Sequence, residues 1–112
     1  MISDAGLRKM FNYIRKTYFE GQLAGYKISF KKMKDYNGLC DLAKKEIFID
    51  ERLRGNYDIC FSTVLHETVH AELGPEYVGN NYFKDCRRAD HGGRFQARIA
   101  KLFAQGAYDG IL

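Results

Sequence analysis

The chain has 112 residues, 46% of them hydrophobic and 14% aromatic, with a formal net charge of +4. That length suits a single domain (1–112) able to bury a core without disulfide staples, and the apolar share excludes a disordered chain. No apolar run approaches the roughly 18 residues that span a membrane, so no membrane partner is expected.

Residues 4–20 read as a first helix. Leu7, Met10, Phe11, Ile14, Tyr18 and Phe19 recur at helical spacing, Ser3 or Asp4 can cap the start, and Gly21 suits the stop. The period then shortens to two: Tyr26, Ile28 and Phe30 alternate with Lys27, Ser29 and Lys31, as in a half-buried strand. Asn37-Gly38 is a turn signal, residues 39–43 form a poorly alternating second strand, and Ile47-Phe48-Ile49 reads as a third strand buried on both faces. Residues 50–56 read as a loop with one helical turn at most.

Residues 57–73 read as the second helix, capped by Asn56 or Asp58 and ended by Gly74-Pro75. Ile59, Phe61, Val64, Leu65 and Val69 occupy several sides of it, which predicts a central, buried helix. A polar stretch follows, and a third helix is expected over residues 92–105, with Phe95, Ile99, Leu102 and Phe103 facing inward. The expected fold is α+β: an N-terminal helix, a small three-stranded antiparallel sheet, the central helix and a C-terminal helix.

The central helix carries His66-Glu67-Thr68-Val69-His70, an H-E-x-x-H motif. Residues four apart share a helix face, so both imidazoles can reach one metal ion, and zinc accepts such ligands. Glu67 follows His66 directly. It can meet a water beside the ion and act as general base without ligating. A zinc site of this kind needs a third protein ligand. His91 is the one remaining histidine, and Asp85, Asp90, Asp109 and Glu76 are weaker candidates. Cys86, near His91, would close the site if it bound as a fourth ligand. Tyr77 and Tyr82 are candidate donors to an oxyanion.

With these residues the chain resembles the SprT-like family of zinc peptidase domains, which includes the eukaryotic Spartan proteases. The run from Phe11-Asn12 to Tyr18-Phe19-Glu20-Gly21-Gln22-Leu23 resembles the family's opening helix and its F-x-G-x-L ending. Met33 and residues 38–40 resemble the segment before the central hairpin, and Ile47-Phe48-Ile49 resembles the strand before the active helix. His66 to Ala71 is similar to the family's H-E-x-x-H-A core, and His91-Gly92-x-x-Phe95 to its H-G-x-x-F. Thr68 stands where an apolar residue is usual. The resemblance implies a zincin-like domain with Zn2+ bound by His66, His70 and His91, and Glu67 as catalytic base. It also implies cleavage of proteins, DNA-associated proteins among them.

Lysine and arginine fall in patches (Arg8, Lys9, Arg15 and Lys16; Lys27, Lys31, Lys32 and Lys34; Arg87, Arg88, Arg94, Arg98 and Lys101), which predicts weak, nonspecific DNA binding. Cys40, Cys60 and Cys86 are odd in number and widely spaced, so reduced thiols in a cytoplasmic, monomeric protein are expected. The rival reading is a basic nucleic-acid-binding module or adaptor whose zinc site is structural or silent.

Overall fold

The computed structural model describes residues 1–74, 77–78, 81–82 and 92–111, the two short pairs by their backbone alone. The first helix, α1, runs Asp4–Tyr18; Ser3 caps it by accepting from the Gly6 N–H, and Leu7, Met10, Phe11 and Ile14 form its buried stripe. It packs on the first strand, β1 (Lys27–Lys31). The second and third strands are β2 (Gly38–Asp41) and β3 (Glu46–Asp50).

Three strands form the sheet, as expected, but the expected all-antiparallel pairing is wrong. The order is β1-β3-β2, with β1 parallel to β3 and β2 antiparallel to it. The dense apolar run explains the arrangement: Ile47 and Ile49 are fully buried, so β3 takes the centre. Asn37 ends the β1–β2 connection, and the hairpin turn joins β2 to β3. It spans residues 42–45, where the Asp41 carboxylate accepts from the Lys44 N–H at 3.1 Å and Lys45 takes a φ of 54°. An aspartate-led turn does this work without glycine, and Gly38 instead opens β2.

A 3-10 turn over Glu51–Gly55 follows β3 and leads into the second helix, α2 (Tyr57–Leu73). Asn56 caps α2 by accepting from the Ile59 N–H at 3.1 Å. From Cys60 onward α2 is largely buried, lying against β2, β3, α1 and α3; Ile59, in the first turn, is exposed. The third helix, α3, runs Gly93–Ala104 and buries Phe95 and Leu102. Two backbone pairings, Tyr77 with Tyr82 and Val78 with Asn81, make a separate two-stranded ladder, β4 and β5, which the sequence reading does not anticipate. No helix among the described residues is long and apolar enough to cross a membrane.

Arg98 of α3 joins the three helices. It donates to the Tyr18 carbonyl at the end of α1 and to Glu72 of α2 at 2.7 Å, and its guanidinium lies over the Phe19 ring. Asp50 performs a comparable task for the sheet. Its carboxylate, 1% exposed, accepts from Met33 N–H and from Arg52, while its own N–H donates to the Asn37 carbonyl. The β1–β2 connection is thereby fixed at two points. Burial alone would raise the Asp50 pKa, but the bonds from Arg52 and Met33 and the Arg52 charge together hold it below the usual carboxylate value. A depressed folded-state pKa stabilises the protein above the unfolded value of about 3.9, and the gain is lost as pH falls through the folded value. Thermal melts from neutral pH to pH 3 should therefore fall more steeply for the wild type than for Asp50→Asn; parallel curves would remove Asp50 from the acid response.

Candidate metal centre

Helix geometry places His66 and His70 one turn apart on α2. Their Nε2 atoms lie 3.2 Å from each other, with ring centroids 4.9 Å apart. Two zinc–nitrogen bonds of about 2.0–2.1 Å at a tetrahedral angle put the nitrogens about 3.3 Å apart. The pair therefore fits one zinc ion without rearrangement. A neutral pair sharing one N–H···N bond also suits this spacing, so the distance is a fit for the metal and carries no tautomer.

Phe95 fixes the rings. It projects from the first turn of α3, and its ring centroid is 4.8 Å from that of His66 and 4.6 Å from that of His70. Arg94 pins the same turn of α3 to α2 by donating to the Leu73 carbonyl at 2.9 Å. Thr68, the departure from the family motif, is fully buried, and its hydroxyl donates to the Val64 carbonyl at 2.6 Å. A hydroxyl satisfied within its own helix can occupy an apolar position.

Glu67 is 4% exposed and lies in a cleft of about 510 Å³ with His66. Residues 37–39 of the chain, at the start of β2, line one side of that cleft, and Ser62 and Thr63 of α2 line the floor. Among the described strands β2 pairs with β3 alone. Gly38 lets it approach: a Cβ there would sit 2.8 Å from Thr63 Cγ2, 2.9 Å from Glu67 Cγ and 3.0 Å from Glu67 Oε2. Gly38→Ala must therefore push β2 away from α2 or displace the Glu67 side chain. A cost of about 1–3 kcal/mol is expected for such overpacking. Denaturant titration measures it, and an unchanged midpoint would refute the close approach.

The structure brings together three of the four expected site residues: His66, His70 and Glu67. His91, the expected third ligand, lies outside the described residues, as do Cys86, Asp85, Asp90 and Glu76. Among the described residues no group of three His, Cys, Asp or Glu is arranged to hold a metal. The oxyanion roles expected of the Tyr77 and Tyr82 side chains fall outside the description too. Cys60 is fully buried on α2, and burial pushes its thiol up to about 11. Tyr108 is the residue the sequence reading missed. It lines the cleft from the turn after α3, a segment with no periodicity to read.

The SprT-like family profile matches residues 7–109 of the chain. The chain belongs to the SprT-like family. Its fold is shared with two archaeal structures. One is the metallopeptidase zymogen of Pyrococcus abyssi abylysin (TM-score 0.66, 14% identity, covering 94% of this chain and 87% of that one). The other is the metallopeptidase zymogen of Methanocaldococcus jannaschii jannalysin (TM-score 0.65, 17% identity, covering 99% and 86%). At such identities the likeness shows a shared α+β fold. No curated protein matches it.

Proposed function

We propose that this SprT-like protein is a zinc metallopeptidase that hydrolyses peptide bonds in proteins, DNA-associated proteins among them. The observation that carries the reading is the pair of imidazole nitrogens 3.2 Å apart beside a buried glutamate in an open cleft. Family membership and a fold shared with proteins named as metallopeptidase zymogens support it.

His66 and His70 would hold the ion, with His91 as third ligand. The described chain resumes at Gly92, directly before α3. Phe95, three residues further on, already touches both imidazoles. The chemistry zinc supplies when bound is Lewis acidity toward a water molecule and the scissile carbonyl. Glu67 accepts the proton of the attacking water and returns it to the leaving amine. β2 borders the cleft, and an extended peptide laid alongside it would hold the scissile bond over Glu67.

The test is incubation of zinc-loaded protein with an unfolded protein, with and without chelator. Cleavage that stops on chelation and returns with zinc is expected. Stoichiometric zinc without cleavage of any protein, with or without DNA, would favour the structural-zinc module instead.

The DNA component rests on fewer charges than composition suggests. Arg15, Arg54, Arg94 and Arg98 are each bonded to carbonyls or carboxylates within the fold. Among the described patch residues, Arg8, Lys9, Lys16, Lys27, Lys31, Lys32, Lys34 and Lys101 are exposed and remain for phosphates. Single-stranded DNA should bind at low salt, with affinity falling as salt rises by a log–log slope of about 0.7 per phosphate neutralised. Undetectable or salt-independent binding, measured by anisotropy, would remove DNA from the proposal.

A further inference from the structure

The turn after α3 is built to return one side chain to the cleft. Gly106 takes a φ of 83°, and the Ala107 N–H donates back to the Leu102 carbonyl at 3.0 Å. Asp109 N–H then donates to the Gly106 carbonyl at 3.1 Å, closing a second turn. Ala107 and Tyr108 are buried by this reversal, and the Tyr108 ring stacks on Phe103 with centroids 4.4 Å apart. Tyr108 is thus held in place, and it borders the same cleft as His66 and Glu67.

With Tyr108 in position the cleft still offers about 510 Å³, well within the roughly 300–1,000 Å³ of ordinary ligand sites. Tyr108 is a wall and leaves room for an occupant. The cleft is bordered by Asp35 and Glu67 and by no lysine or arginine among the described residues. An acidic side chain would be repelled there, whereas an apolar one can cover the half-buried Tyr36 and the 7% of Tyr108 left exposed.

We propose that Tyr108 is a specificity-determining contact for the peptide substrate: its ring is the surface on which a bulky apolar side chain flanking the scissile bond packs. This rests on the peptidase reading above and adds a residue and a side-chain preference to it. No catalytic step passes through Tyr108. It selects which peptides lie over Glu67.

The experiment uses zinc-loaded Glu67→Gln protein and fluorescent unstructured peptides that differ at one position, carrying Phe, Leu, Ala, Lys or Asp. Tyr108→Phe and Tyr108→Ala are introduced in that background, with zinc content and melting temperature measured alongside. The Phe and Leu peptides should bind tightest, in the same order for Tyr108→Phe. Tyr108→Ala should weaken those two by about tenfold and leave the Ala peptide little changed, flattening the preference. The same variants with Glu67 intact should show the loss in KM, with kcat nearly constant. If Tyr108→Ala does not fold, Tyr108→Leu replaces it and should give a smaller loss on the same peptides. An unchanged preference in a folded, zinc-loaded variant overturns the proposal. So does a preference for Lys, or tighter binding of every peptide, which would make Tyr108 a plug. Tyr108-dependent peptide binding without cleavage would sink the hydrolase reading and leave this contact standing. Protein that neither binds nor cleaves peptides sinks both.

Discussion

Glu67→Gln is expected to lose peptide hydrolysis by at least the roughly 10²–10⁴-fold typical of a general base, with zinc content unchanged. Glutamine is nearly isosteric with glutamate, and size matters here because Gly38 leaves little space: the absent Cβ would already sit 2.9 Å from Glu67 Cγ. The amide keeps the packing between β2 and α2 but has no basic oxygen to take the proton of water. Glu67 is 4% exposed, and a neutral amide costs less to bury than a charged carboxylate. The variant should therefore melt at or slightly above the wild-type temperature. Glu67→Asp keeps the charge but draws the carboxylate back by one methylene, so it should fall between the two. The comparison is single-turnover cleavage of an unfolded protein beside zinc analysis and calorimetry. Equal cleavage by wild type and Glu67→Gln would remove Glu67 from the chemistry, even if zinc remained essential.

The helices were legible in the sequence because α1 and α3 carry an apolar period, and α1 and α2 a capping side chain. The expected span 57–73 matches α2, and Asn56 is the cap. α1 ends at Tyr18, two residues before the expected stop. Strand existence was legible too, but pairing was not. Nothing in the alternation of Tyr26, Ile28 and Phe30 says which neighbour β1 takes, and a parallel partner requires a crossing that periodicity does not record. The Asn37-Gly38 pair does end the β1–β2 connection, but its second role was not legible. Glycine serves both turns and close approaches, and here the close approach, β2 against α2, is also in use.

The two histidines and the glutamate were legible because the motif fixes them on one helix and the surrounding apolar residues make their polarity conspicuous. What holds them was only partly legible. Phe95 reads in the sequence as a core residue of α3 and as the end of the H-G-x-x-F match, and neither reading says that it touches both imidazole rings. Tyr108 gave no signal, since a single aromatic in a short irregular turn has neither period nor motif. The basic patches overstated the free charge. A cation that folds back on a helix end, as Arg94 does on Leu73 and Arg15 on Gly21 and Gln22, looks the same in composition as one facing solvent.

His91→Ala is expected to lose most of the bound zinc, and this is the larger effect on the metal. His66 and His70 alone make a two-point site on one helix face, held 3.2 Å apart by the helix and by Phe95. Two ligands leave the ion with half of its four-coordinate shell supplied by water, and such a site competes poorly with a chelator. Asp85→Ala and Asp90→Ala remove the rival donors of the same segment and should have far smaller effects. Gly92→Ala is the useful companion, because it alters the entry to α3 without touching a donor. The readout is zinc retained after dialysis against graded chelator, with melting temperature followed at each step. A zinc ion held only by the folded state stabilises it by RT ln(1 + [Zn]/Kd), so the wild type should lose stability as zinc is withdrawn. The His91→Ala protein should start near the metal-free melting temperature and not respond. Full zinc retention by His91→Ala, with loss in Asp85→Ala or Asp90→Ala, would move the third ligand to that aspartate and leave the roles of His66, His70 and Glu67 intact.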